Sequence, residues 1–133
     1  MKEKKLNLRK IREIFKFYPE IKLVYFFGSK IKGEDGFLSD YDFAVYLEEK
    51  DTKKLFEIKI DLINRLTKIL KTDKIDLVIL NTAESPELKY NIIKDGELIF
   101  EQEPYKVLIE PKILNEYFDF RLTLFKNNLA KSV

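Results

Sequence analysis

Val24-Tyr25-Phe26-Phe27-Gly28-Ser29, a gap of ten residues, and then Asp40-Tyr41-Asp42-Phe43-Ala44-Val45 set the architecture of this chain. An apolar run halted by Gly-Ser reads as a buried strand that stops abruptly. Gly28 has no Cβ, so a ligand can approach its backbone closely. Ser29 adds a hydroxyl beside backbone N–H groups at the start of a turn or short helix, which suits a phosphate. The second run, residues 41–47, reads as another strand. Residues two apart on a strand share a face, so Asp40 and Asp42 project together. Two adjacent carboxylates repel, and a hard divalent cation with oxygen ligands is the usual remedy.

Outward from this core, residues 21–27 are apolar on both sides, as in a strand covered on both faces. Before it, Leu8, Ile11, Ile14 and Phe15 recur at helical spacing, so residues 6–18 read as a helix ended by Pro19. Between the two strands, residues 30–39 read as a helical turn followed by a loop. After them, Asp51 or Thr52 can cap a helix reaching about residue 70, with Leu55, Ile58, Leu62, Leu66 and Ile69 on one face. Residues 74–81 read as a third strand carrying an embedded acid, Asp76. An Asp in a run of Ile, Leu and Val is costly to bury unpartnered. Either it joins the Asp pair, or it sits at the strand's exposed start and turns outward; Asp73 reads as a loop residue. Ser85 and Pro86 open a further helix. Leu88, Ile92 and Ile93 are expected to face inward on it, and Gly96 to close it as a C′ residue. Residues 97–100 read as an edge strand. Glu103-Pro104 opens a final helical region that Pro111 is expected to break or kink. Its aromatics Tyr117, Phe118, Phe120 and Phe125 exceed what one packing stripe needs, so part of them reads as core and part as a contact surface.

The 133 residues, 45% of them hydrophobic, allow one globular domain, with residues 104–133 as a helical extension. No apolar run approaches a membrane span, and no signal-peptide core follows the charged N-terminus, so a cytoplasmic protein is expected. The chain has no Cys and no His, which excludes disulfides, thiolate or imidazole metal sites and a His general base. Twenty-five basic residues against 23 acidic ones are too balanced for a dedicated nucleic-acid binder. The high charge content suits a thermophile, and the Lys, Ile and Asn usage equally suits an AT-rich genome.

Gly28-Ser29, the ten-residue gap and Asp40-x-Asp42 resemble the signature of the polymerase-β-like nucleotidyltransferase superfamily. Lys30 and Gly33 resemble its minimal form. The pattern of Asp76-Leu77-Val78, Leu80-Asn81, Pro86-x-Leu88 and Gly96-x-Leu98-Ile99-Phe100 is similar to the latter half of MntA-type minimal nucleotidyltransferases. The likeness spans residues 21–100. It implies an α/β (α+β) fold, a small mixed sheet of about four strands flanked by helices. It implies Asp40, Asp42 and Asp76 as catalytic residues and ligands of two Mg²⁺ ions, with Asp76 completing the site on the nucleophile side. Gly28, Ser29 and Lys30 would hold the phosphates of ATP. The implied function is that of an antitoxin, an adenylyltransferase moving AMP from ATP to a tyrosine of a partner HEPN-domain RNase toxin. That partner would be met through the aromatic C-terminal segment; a homo-oligomer is also possible. Two other readings stand beside it: an antitoxin acting by binding alone, and a nucleotidyltransferase acting on a small molecule such as an aminoglycoside.

Overall fold

A strand that is apolar at nearly every position needs cover on both sides, and residues 21–27 receive it. In the computed structural model, residues 7–28 and 41–132 are described, with side chains through residue 128. The elements run α1 (Leu8–Lys16), β1 (Ile21–Phe27), β2 (Tyr41–Leu47), α2 (Thr52–Leu70), β3 (Ile75–Ile79), α3 (Pro86–Asp95), β4 (Glu97–Glu101) and α4 (Tyr105–Ser132). The sheet order is β3-β2-β1-β4. β1 is antiparallel to both β2 and β4, and β2 is parallel to β3, so the sheet is mixed as expected.

Ile21, Val24 and Phe26 of β1 join Phe43, Val45, Leu77 and Ile79 beneath α1 and α2. Leu23 and Tyr25 turn to the other face with Ala44 and Leu80, against Ile92 of α3 and Ile109 and Ile113 of α4. A register shift between Ile21 and Leu23 changes the phase, which lets one seven-residue strand feed both cores so densely. Leu55, Ile58, Leu62 and Leu66 of α2 are all buried, each contributing about 1.5–3 kcal/mol of apolar transfer. Packing rather than intrinsic propensity therefore holds that helix. Among the described residues no polar or charged residue is buried.

The caps follow the sequence in part. Asp51 accepts from the Lys53 N–H at 3.1 Å, and Ser85 from the Leu88 N–H at 3.1 Å with Pro86 behind it. Asn7, not anticipated as a cap, accepts from the Lys10 N–H at 3.3 Å and starts α1 two residues later than expected. Gly96 differs from its reading as a C′ residue. It is the C-cap of α3, in extended conformation (φ −78°, ψ 167°). Glycine serves there because a Cβ would lie 2.4 Å from the Ile92 carbonyl oxygen. Leu88 is exposed rather than inward, and Ile92 carries the buried contact of α3. Pro111 does not break α4, which runs through it. Its missing donor faces the carbonyl of Val107 one turn earlier, and both residues are exposed, so water can serve that carbonyl. β3 is shorter than residues 74–81 because Leu80 and Asn81 leave the ladder in a turn, although the Leu80 N–H still reaches the Val45 carbonyl at 2.8 Å.

Candidate active site

Three strand ends meet where β1 stops. Phe27 pairs with Asp42 across the antiparallel ladder, and Asp42 pairs with Asp76 across the parallel one. Neighbouring strands lie about 4.8 Å apart, so the two acids stand side by side. Alternation along each strand puts Asp42 on the face of Ala44 and Tyr46, and Asp76 on the face of Val78, which is one face of the sheet. The Tyr41 N–H donates to the Lys74 carbonyl at 2.8 Å, which ties the starts of β2 and β3 together and holds the register that brings the acids level. Asp42 is half-buried and Asp76 exposed. Asp76 therefore sits at the strand's exposed start, in register with Asp42. Asp73 is exposed before the strand.

Gly28 follows with φ +90°, a conformation that costs any other residue strain. A Cβ built there would lie 2.1 Å from Asp42 Oδ2 and 2.9 Å from its Cγ. The backbone of residue 28 is therefore laid against the Asp42 carboxylate. Of the residues expected in the site, the structure brings together Gly28, Asp42 and Asp76. Ser29, Lys30 and Asp40 lie outside the described residues, as do residues 31–39. Among the described residues no group of three or more His, Cys, Asp or Glu converges on one point. The donor set that is present, two adjacent carboxylates with nothing softer nearby, matches a hard divalent cation.

The opposite end of the strands is tied off. The Asn81 side chain donates to the Leu47 carbonyl at 2.5 Å and accepts from the Leu47 N–H at 3.1 Å. Gln102 Nε2 donates to the Ile21 carbonyl at 2.9 Å. On the face of the acids, the Tyr25 hydroxyl donates to the Glu110 carboxylate and pins α4 to the sheet. Burial first, and then this bond, raises the Tyr25 hydroxyl pKa well above its ordinary value. On the other face the Tyr18 hydroxyl donates to Asp61, which also pairs with Arg65. Burial and that bond push Tyr18 up to about 12, and the Tyr18 bond lowers the Asp61 pKa. Tyr25, inside an apolar run, signalled a hydroxyl that must find a partner. The partner lies 85 residues away, beyond the reach of sequence patterning. A cleft of about 430 Å³ lined by Ile14, Asp61, Asn64, Arg65, Lys68 and Ile69 belongs to α1 and α2, across the sheet from the acids.

The family model described as "Polymerase beta, Nucleotidyltransferase" matches residues 9–105. The chain belongs to this nucleotidyltransferase family. "Putative protein adenylyltransferase MJ1379" of Methanocaldococcus jannaschii is 34% identical to it over 95 residues, 71% of this chain and 93% of that protein. A crystal structure of a toxin–antitoxin with AMP-PNP aligns with a TM-score of 0.73 at 25% identity, covering 93% of this chain and 99% of that one. The fold also matches a chain from the complex of tri-AMPylated Shewanella oneidensis HEPN toxin with MNT antitoxin, with a TM-score of 0.66 at 23% identity over 92% and 96% of the two chains. Among the described residues of this nucleotidyltransferase no helix is long and apolar enough to cross a membrane.

Tyr117, Phe118, Phe120 and Phe125 of α4, expected to be core in part, do not reach the buried core: the helix makes its buried contacts nearer its start, at Ile109 and Ile113. Tyr117 is half-buried and stacks on Tyr90 with ring centroids 3.9 Å apart, beside the Lys89–Glu116 ion pair at 2.8 Å. Phe120 is half-buried. Phe118 and Phe125 are 56% and 59% exposed, and Leu122 between them is 51% exposed, forming one stripe at helical spacing.

Proposed function

We propose that this nucleotidyltransferase is the antitoxin of a HEPN-domain RNase toxin and neutralises it by transferring AMP from ATP to a toxin tyrosine. The observation that carries the reading is the Asp42–Asp76 pair, level across parallel strands, with the Gly28 backbone against Asp42. The choice of AMP and of a protein acceptor follows the 34% identical relative named as a protein adenylyltransferase and the toxin–antitoxin chain solved with AMP-PNP. Asp40, Asp42 and Asp76 would hold Mg²⁺, two ions in full occupancy, and Gly28, Ser29 and Lys30 the nucleotide phosphates. Bound there, the cations would neutralise charge on the attacking and leaving oxygens. The protein's own work is then positioning: strand register holds the carboxylates side by side, and the end of β1 offers backbone rather than side chain to the nucleotide. With no His in the chain, the site's acid–base and metal chemistry falls to carboxylates, Lys, Tyr or Ser.

Residues 1–133 act as one minimal domain in the cytoplasm, with residues 104–133 as a helical extension. Phe118, Leu122 and Phe125 offer the toxin an apolar stripe. The test uses source-cell lysate, Mg²⁺ and ATP labelled at the α-phosphate, with wild type or the Asp40→Asn, Asp42→Asn double variant. Label on one protein band with wild type only is the expected result. A partner that co-purifies equally with both forms, without label, would replace this reading with neutralisation by binding alone.

A further inference from the structure

We infer that Gly28 is a positioning residue for the Asp42 carboxylate, beyond any contact it makes with nucleotide. Two features of residue 28 point the same way. Its φ of +90° aims the place of an L side chain at Asp42, and the space there is already filled. The hypothetical Cβ meets Oδ2 at 2.1 Å, Cγ at 2.9 Å and Cβ of Asp42 at 3.2 Å. No rotation about the Asp42 Cα–Cβ bond relieves the last of these, and the first two can be relieved only by turning the carboxylate away. The group lodged against the glycine is thus this chain's own carboxylate. A side chain at position 28 therefore turns the Asp42 carboxylate out of the place it holds level with Asp76. Gly96 makes the contrast. There the obstructing atom is the Ile92 carbonyl oxygen, part of the backbone, so a substitution has no side chain to push aside.

The consequence for cation binding rests on the function proposed above; the steric coupling does not. The experiment is therefore a thermal double-mutant cycle with a metal titration on the same four proteins: wild type, Gly28→Ala, Asp42→Ala and the double variant. The left-handed backbone alone lowers the melting temperature by roughly 4 °C in either background. With Asp42 present, a further loss of roughly 4 °C is expected, and it disappears when residue 42 is Ala. Mn²⁺ binding, read by electron paramagnetic resonance, weakens about tenfold or more in Gly28→Ala. Should Gly28→Ala fail to fold while the double variant folds, the coupling is upheld. Equal losses of melting temperature in both backgrounds, or failure of both to fold, would overturn it. So would Mn²⁺ binding left intact in Gly28→Ala while Asp42→Ala weakens it, which would make Gly28 a nucleotide contact alone. If Asp42→Ala leaves Mn²⁺ binding unchanged while the thermal coupling appears, the proposed cation site falls and the positioning role stands.

Discussion

The two ends of the β1–β2 pair are built to opposite rules. At the Ile21–Leu47 end, side-chain amides satisfy the last backbone groups: Asn81 closes on Leu47 and Gln102 on Ile21. At the Phe27–Asp42 end, carboxylates of adjacent strands stand level and the backbone turns left-handed at Gly28. One end lowers the free energy of the fold; the other holds like charges and a conformation that most residues avoid. On the proposed function, stability and chemistry fall to separate ends of the same strands.

If that division holds, substitutions at the two ends separate activity from stability. The largest effect is expected from Asp42→Asn and Asp76→Asn. Each should lower AMP transfer about a thousandfold, the loss of several kcal/mol of charge stabilisation, in a quantitative labelling assay. Each should leave the melting temperature unchanged or slightly raised, because a like-charge neighbour is removed. A fall in melting temperature that tracks the fall in activity would erase the distinction. At the opposite end, Asn81→Ala should cost about 1–3 kcal/mol in urea unfolding, with transfer by the folded fraction at wild-type rate. Gln102→Ala should cost less, about 1 kcal/mol, since the Gln102 backbone N–H still reaches the Lys22 carbonyl at 2.8 Å. The smallest effect concerns pH. Tyr18 has its pKa raised from 10.0 to about 12, so its contribution is whole below pH 10 and lost as pH climbs from 10 to 12. Tyr18→Phe should flatten that alkaline decline in thermal melts without changing transfer at neutral pH. An unchanged slope would assign it to Tyr25, Tyr46 and Tyr105, all raised in the same direction.

Much of this arrangement was legible in the chain because its signals are local. The stop at Gly28, the period-two placement of Asp42 and the stripe of Leu55, Ile58, Leu62 and Leu66 each lie within one element and report its face. Asp76 was half legible. Its type and strand could be read, but its place beside Asp42 depends on a parallel register that no local pattern encodes. The ties of Asn81 to Leu47 and of Tyr25 to Glu110 were not legible, since each joins residues 34 and 85 positions apart. Pro111, expected to break or kink the last helix, does not break it, and for a different reason. Helix-breaking rules price a lost hydrogen bond as though the orphaned carbonyl were buried, and here Val107 and Pro111 are both exposed, where water can serve it. At Gly28, read as a place where a ligand can approach the backbone, the group that stands there is a carboxylate of the chain itself.

The long last helix has a mechanical side. Its buried contacts, Ile109 and Ile113, and the Tyr25–Glu110 clamp all lie near its root, while residues 121–128 are exposed throughout. At 1.5 Å per residue, the stretch from 118 to 132 forms a cantilever about 20 Å long. A tilt of about 5° at the root would swing the tip by nearly 2 Å, enough to spoil the alignment of reacting atoms on anything fastened to it. Stiffness at one buried tyrosine thereby becomes aiming accuracy at a distance, and loosening Tyr25 would blur the aim of a partner it never touches.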